Sequence, residues 1–325
     1  MKRIAIVCGG DSSEYEVSLR SAAGIYSFLD KEKYKAYTVV MRGSEWEVWL
    51  ADGRRLPVDK NNFSFIDGGE SRKFHFAYII IHGTPGEDGR LQGYFDMLRI
   101  PYSCCGVFAA ALTFNKFACN QYLKGFGLRI AESMMLRKGQ TVTDEEVTQK
   151  IGLPCFIKPN QGGSSFGATK VKTPAQIQPA IEGAFGEQGE EVIIESFMDG
   201  IEVTCGCYKT RRKGLVMFPL TEVVSKHEFF DYDAKYNGAS DEITPARVSD
   251  ELTRRIQALT GAIYDILGCS GIIRVDYIIT AGDKVNLLEV NTTPGMTATS
   301  FIPQQVRAAG LDIKEVMTDI IEDKF

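Results

Sequence analysis

The sequence is poor in the features that would send a protein to a membrane, to nucleic acid or out of the cell. No apolar run approaches the ~20 residues that span a bilayer. The opening MKRIAIVCGGDSSEYEVS has an apolar stretch too short for a signal core, and a double glycine followed by acidic residues where a cleavage site would stand. The chain is therefore expected to act in the cytoplasm. Lys and Arg total 37 against 42 Asp and Glu, a net charge of -5, and the cations are scattered. A phosphate backbone needs a basic stripe, so nucleic acid is not an expected partner. There are only three histidines, and the eight cysteines contain no C-x-x-C, which leaves no zinc pattern. The cysteines read as reduced thiols. Cys104-Cys105 and Cys205-Gly-Cys207 have the spacing of redox or metal elements. The second pair, however, sits in the alternating segment EVTCGCY, where small apolar side chains suit a buried face. The glycines nowhere form G-x-G-x-x-G, and a nicotinamide-cofactor reading loses its main support.

With 325 residues, 44% hydrophobic and 24% charged, the chain can build two or three domains. KRIAIVCGG reads as a buried strand running into glycines, followed by a helix whose start offers Ser13 and Glu16 as a capping box. Strand-like runs at Tyr34 to Met41 and Ala77 to His82, with a helical segment after Gly89, continue a βαβ alternation. A second unit opens with a helix around Phe108 to Lys124 and includes PCFIKP, a Gly/Ser loop and EVIIESF. Beyond Glu202 come two strand-rich runs, and then a polar segment from Ser225 to Ala246 without periodicity. A stretch of that length is usually a lid or binding loop, and its Phe229, Phe230, Tyr232 and Tyr236 argue against plain disorder. A helix near Asp250 to Leu267, two strands and a closing helical segment follow.

The strongest signal is the pair of runs GIIRVDYII and KVNLLEVN, joined through Gly282-Asp283, which suits a two-residue hairpin loop. Pairing Ala281 with Lys284 and counting outward sets Asp276 opposite Glu289 and Arg274 opposite Asn291, all on one face. Two facing carboxylates repel unless a cation lies between them, and Asp, Glu and Asn oxygens suit magnesium. The alternative is a solvated face with incidental charges; the apolar runs on either side weigh against it. The loop Lys158-Pro-Asn-Gln-Gly-Gly-Ser-Ser-Phe-Gly167 follows a strand and offers backbone donors with a cation, as a phosphate cradle does. Its Lys precedes the glycines, which is not the P-loop order, and a plain hairpin connection fits it equally well.

Taken together, GGDSSEYEVS, HGTPGEDGRLQG, KPNQGGSSFG, EVIIESFMDGIEVT, FFDYDAKY, RVDY and LLEVNTTPGMTATSF, in this order, resemble the ATP-grasp superfamily and within it the D-alanine:D-alanine ligase family. The resemblance covers almost the whole chain. It implies a mixed α/β and α+β ATP-grasp fold: an N-terminal open α/β domain over 1–104, a central ATP-grasp subdomain over 105–198 and a C-terminal domain over 199–325 with metal site and lid. It also implies a homodimer, ATP and Mg2+ (with Mn2+ able to substitute), two molecules of D-alanine as substrates, and a place in peptidoglycan precursor synthesis.

Carried over residue by residue, the resemblance puts Lys116 and Lys158 on ATP phosphates, under a loop closed by Ser164 and Ser165. Glu195 and the Met198 backbone would meet the adenine, and Glu202 the ribose. Asp276, Glu289 and Asn291 match the magnesium ligands, the same residues the hairpin register gave. Glu14 falls near the amino group of the first D-alanine, His82 near its carboxylate, and Arg274 with the Gly295 backbone at the reacting carbonyl. Lys235 and Tyr236 belong to the lid, Lys235 reaching phosphates or the second carboxylate and Tyr236 hydrogen-bonding to Ser164 and Glu14. Ser300 would help hold the second carboxylate. On the residues alone, Glu14 also suits a helix start, His82 a satisfied strand end, Glu195 and Glu202 solvated strand positions, Lys116 a helix surface, and Glu87-Asp88 a cap for the next helix. Phe230 and Phe301 depart from the usual pattern, which bears on the acceptor. Ligases joining D-alanine to D-lactate or D-serine are the near alternatives, and a noncatalytic ATP-grasp nucleotide-binding protein is the remote one.

Overall fold

The computed structural model describes every residue except 164–166, 187–188 and 226–239. Three sheets organise it. The first has the order β6-β5-β4-β3-β2-β1-β7. β1 (Lys2–Gly9) lies parallel to both β2 (Tyr34–Arg42) and β7 (Phe76–Ile79), and α1 (Tyr15–Phe28) makes the crossover. This is the expected βαβ core. An antiparallel meander of β3 (Glu45–Trp49), β4 (Arg55–Asp59), β5 (Ser64–Asp67) and β6 (Glu70–Lys73) extends one edge. β1 reads as a continuous apolar run because both faces are covered. The buried Ser18 hydroxyl holds α1 to the sheet: it accepts from Gly9 N at 2.9 Å and donates to Ile80 O at 2.7 Å. The expected capping box at Ser13 does not form. Glu14 is the N-cap of α1, without a side-chain cap bond.

α2 (Arg90–Leu98) completes the first unit, and the helix expected from Phe108 to Lys124 is two helices, α3 (Val107–Phe114) and α4 (Lys116–Lys124). The break is chemical. Asn115 takes an extended conformation between them and caps α4, its side chain accepting from Ala118 N at 2.9 Å.

The central antiparallel sheet has the order β10-β9-β11-β8: β8 (Ser133–Arg137), β9 (Cys155–Pro159), β10 (Thr169–Val171) and β11 (Glu191–Ser196). It is backed by α5 (Asp144–Lys150) and α6 (Ile177–Phe185). The third sheet is ordered β15-β14-β12-β16-β17, with β13 (Gly214–Met217) also on β12. Its strands are β12 (Gly200–Thr210), β14 (Thr221–Ser225), β15 (Ser240–Ile243), β16 (Gly271–Thr280) and β17 (Lys284–Asn291). α3, α4 and α7 (Asp250–Ile266) share its apolar core, which takes in Cys205 and Cys207, both fully buried as the alternation of EVTCGCY required. The chain ends in α8 (Phe301–Ala308) and α9 (Ile313–Glu322), which return to the first sheet: Ile302, Val316 and Ile320 share a core with Ile4, Ile6 and Ile25. Glu322 clasps both Lys2 and the Tyr34 hydroxyl at 2.7 Å. No helix among the described residues is long and apolar enough to cross a membrane.

Candidate active site

Residues on or next to all three sheets line a cleft of about 1050 Å³, and every candidate residue that the structure describes lies in its lining. Ser164, Ser165, Lys235 and Tyr236 lie outside the described residues.

One wall comes from the central sheet and α4. Ile193 on β11 pairs with Lys158 on β9, and Glu195 pairs with Phe156, so Lys158 and Glu195 are diagonal neighbours on one face. They form a 2.6 Å ion pair, and Asn120 Nδ2 donates to the second Glu195 oxygen at 3.2 Å. Burial pulls the Lys158 ammonium down, but its pairing with Glu195 prevails and the pKa lies above its ordinary value. Lys116 opens α4, its Nζ donating to the Gly162 carbonyl. Its pKa is lowered, by burial first; Glu289 across the cleft acts against that and Lys158 beside it adds to it. Both lysines are set by a fully buried side chain, Asn160. Its Oδ1 accepts from Phe117 N at 2.8 Å, and its Nδ2 donates to Asn115 at 2.9 Å and to Glu191 at 2.7 Å. A buried amide is tolerated only when satisfied, and here that requirement locks the end of β9 to the start of α4.

The opposite wall is the β16-β17 hairpin. Asp276 pairs with Glu289 and Arg274 with Asn291, as expected, but by another route. The turn has three residues, because Thr280 and not Ala281 pairs with Lys284, and both Gly282 and Asp283 take positive φ. That slips the register by one. A bulge then skips Leu288 between Tyr277–Leu287 and Asp276–Glu289 and restores it. The Arg274 guanidinium grips Asp276 with two bonds of 2.8 Å, and Asn291 Nδ2 donates to the same carboxylate at 3.0 Å. Arg274 also lies 5.2 Å from the centroid of the Phe301 ring, a contact in cation–π range. Among the described residues no three His, Cys, Asp or Glu side chains gather as a metal site. What the hairpin offers is two carboxylates and an amide, all hard oxygen donors. Magnesium, which keeps several waters and leans on one or two carboxylates plus phosphate oxygens, fits that set.

The floor is built by the first unit and the chain after β17. Glu14 is largely buried and lies against Gly163, where an added Cβ would collide with its carboxylate. That contact joins the first helix to the glycine loop. His82 is held from two sides: Nε2 is 3.2 Å from Ser21 Oγ, and the ring bonds to the Thr293 backbone. Burial lowers its pKa, with the charge of Glu14 and the Thr293 bond opposing. Gly295 and Ser300 face each other, the Ser300 hydroxyl accepting from Thr297 N at 3.1 Å. Met198 and Glu202 line the cleft at the junction of β11 and β12.

Three further cleft residues stand out, none of which was given a site role from sequence. Glu87, expected to be part of a helix cap, turns back to accept from Gly83 N at 2.7 Å, and only Asp88 reaches α2, accepting from Arg90 N at 3.2 Å. Burial, and then the charge of Glu14, push the Glu87 carboxyl up to about 8. Thr204, directly opposite Asp276 on β12, and Thr293 carry buried hydroxyls without a partner among the described residues. A buried polar group in that state is a place where a ligand or water bonds. A strand threonine gives no sequence signal for this.

Comparisons with known proteins agree. The family model described as D-ala D-ala ligase N-terminus matches residues 3–105, and that described as D-ala D-ala ligase C-terminus matches residues 122–322. The D-alanine–D-alanine ligase of Bacteroides fragilis is 76% identical over 326 residues, covering 100% of both chains. Among solved structures, the VanG D-Ala:D-Ser ligase of Enterococcus faecalis is similar at TM-score 0.87 and 31% identity, covering 100% of this chain and 99% of that one. The D-alanine–D-alanine ligase of Bacillus anthracis complexed with ATP is similar at TM-score 0.79 and 28% identity, covering 100% and 97%. The fold is the ATP-grasp fold of these ligases, and the chain belongs to the D-alanine–D-alanine ligase family.

Proposed function

We propose that the chain joins two D-alanine molecules to D-alanyl-D-alanine at the expense of ATP, for peptidoglycan precursor synthesis. The observation that carries this reading is the opposition of charge across one cleft: Lys116 and Lys158 on one wall face Asp276, Glu289 and Asn291 on the other, with Arg274 bonded to Asp276 and Gly295 lining the same cleft. A carboxylate resists attack by an amine, so the first D-alanine is activated by taking the γ-phosphoryl group of ATP as an acyl phosphate. Lys116 and Lys158 hold the polyphosphate, with Glu195, Met198 and Glu202 toward the nucleoside. Asp276, Glu289 and Asn291 would hold magnesium, which supplies charge neutralisation between phosphate oxygens. Glu14 orients the first amino group and His82 its carboxylate. As the second amine attacks, Arg274 and the Gly295 N–H stabilise the oxyanion, while Ser300 holds the acceptor carboxylate. A site closed by the lid keeps water from the acyl phosphate.

Three units, 1–104, 105–198 and 199–325, supply these parts, and each sheet falls within one of them. The protein acts in the cytoplasm as a homodimer. ADP release with D-alanine, L-alanine, D-serine and D-lactate, offered singly and in pairs with and without Mg2+, tests the reading. Turnover with D-alanine alone is expected. Turnover only when D-serine or D-lactate is added moves the acceptor, and no ADP release under any condition removes the enzyme reading.

A further inference from the structure

The first turn of α8 gathers one end of the cleft. Ser300, its N-cap, closes against Gly295, where an added Cβ would press on the serine hydroxyl. Phe301 meets the Arg274 guanidinium with its ring. One turn after Ser300, the Gln304 amide donates to the Thr299 carbonyl at 2.7 Å and to the Glu242 carboxylate on β15. Gln305 beside it ties the helix to β12, accepting from Gly206 N at 3.0 Å and donating to Thr204 O at 3.1 Å. The turn that places Ser300 and Phe301 beside Gly295 and Arg274 therefore also holds Glu242, a carboxylate that the mechanism has not used.

Register sets the direction of that carboxylate. Glu242 pairs with Val223 on β14, Val223 with Glu202 on β12, and Glu202 with Ile278 on β16. Residues directly opposite one another share a face of the sheet, and all four line the cleft. Glu242 is half-buried there. It takes a hydrogen bond from a neutral amide and makes no ion pair among the described residues. Burial raises its pKa, with the Gln304 bond and the charge of Arg274 opposing. A partly desolvated carboxylate without a counter-ion favours a ligand that brings a positive charge, and it accepts a proton more readily than an exposed one.

We propose that Glu242 receives the ammonium group of the incoming second D-alanine and takes one of its protons, so that this acceptor meets the acyl phosphate as a free amine. The proposal rests on the reading of the cleft as a D-alanine ligase. An amino acid arrives from neutral water as a zwitterion, and its nitrogen has no lone pair until a proton leaves. Transfer to Glu242 gives a carboxylic acid and a neutral amine. The amine lone pair forms the C–N bond, the C–O bond to phosphate breaks, and the second proton lost by nitrogen leaves on the departing phosphate. One ammonium, one carboxylate and one acyl phosphate become an amide, a carboxylic acid and hydrogen phosphate. The same carboxylate selects the acceptor: D-lactate brings no positive charge and leaves Glu242 unpaired, which is how a polar site rejects a close isostere.

The test offers one acyl phosphate two nucleophiles. D-alanine arrives as a zwitterion, whereas hydroxylamine is an uncharged amine at neutral pH and traps the same intermediate as D-alanyl hydroxamate. Wild type and Glu242→Gln, which can still accept the bond from Gln304, are given ATP, Mg2+, D-alanine and hydroxylamine together, and dipeptide, hydroxamate and ADP are measured. In the variant, kcat/KM for the acceptor D-alanine should fall ~10-fold or more, while hydroxamate formation and KM for ATP hold. Equal loss of both products makes Glu242 a structural part of the wall and overturns the proposal, as does an unchanged dipeptide rate. Wild-type protein that releases no ADP overturns the ligase reading, and the assignment of Glu242 with it. The ratio of the two products within one sample decides even if only part of the variant folds.

Discussion

The two walls of the cleft solve opposite charge problems. On the wall of the central sheet and α4 two cations, Lys158 and Lys116, stand beside one carboxylate, Glu195, while on the β16-β17 hairpin one guanidinium, Arg274, stands among two carboxylates, Asp276 and Glu289. Among the named groups, one wall is richer in cations and the other in carboxylates. A wall with excess positive charge suits polyphosphate, and one with excess carboxylate suits a divalent cation. The two walls also differ in how they hold their charges: the Lys158–Glu195 pair is buried deeply enough to matter to the fold, whereas Arg274 lines the cleft between its bonds to Asp276 and the Phe301 ring.

Breaking the pair on the positive wall should have the largest effect. Lys158→Met leaves Glu195 buried without its counter-charge and should cost about 3 kcal/mol of stability in denaturant titration, along with ATP affinity. Combining it with Glu195→Gln should restore much of the stability and none of the ATP affinity. If the double variant binds ATP normally, the pair is structural alone. On the other wall, Arg274→Met should lower kcat by ~10²-fold or more while changing ATP binding far less. A loss confined to KM for ATP would erase the contrast between the walls.

Glu87, on the floor between them, sharpens the comparison through pH. Its carboxyl is raised from an ordinary 4.5 to about 8, so the folded protein binds more protons than the unfolded chain across that window. Stability of the wild type must therefore fall, relative to Glu87→Gln, as pH rises from about 4.5 to 8, by ~2 kcal/mol after allowance for solvent screening. Below that window the two should coincide. A constant difference across pH, read from melts of the apo proteins, would mean that Glu87 ionises as an ordinary surface carboxylate. The smallest effect is expected far from either wall. Thr143 and Glu146 form a reciprocal capping box on α5. Thr143→Ala should cost ~1 kcal/mol and leave turnover untouched; any change in kcat would show that the central sheet passes strain to the lysines.

Much of this site could be read from the sequence where one strand or one loop held the information. The facing of Asp276 with Glu289 and of Arg274 with Asn291 was expected from a two-residue turn that the structure does not have, and it holds because the bulge at Leu288 cancels the longer turn; the buried cysteines of β12 followed from alternation in one run. What depended on the register between distant strands could not be read. The diagonal contact of Lys158 with Glu195, the facing of Thr204 and Asp276, and the three bonds of the Asn160 side chain all need the sheets assembled. Local signals also misled where tertiary partners competed for the same group. Ser13 had the spacing of a cap, yet it is the neighbouring Ser12 that is engaged, its hydroxyl accepting from Glu14 N and donating to the His82 carbonyl at 2.6 Å. The meander from β3 to β6 went unread because its strands are short and broken by Gly and charged residues.

The β16-β17 hairpin reaches the expected pairing through two departures from regular geometry, a turn one residue longer than the tightest and a bulge at Leu288. They act together as a slip joint. The alignment of Asp276 with Glu289 depends on the parity of the chain between them rather than on the form of the turn. Relatives can thus trade a residue at the tip against the bulge without moving either carboxylate. A lone insertion or deletion at the tip, with the bulge unchanged, would turn Glu289 to the far side of the sheet, so length variation in this otherwise permissive turn should occur in compensated pairs.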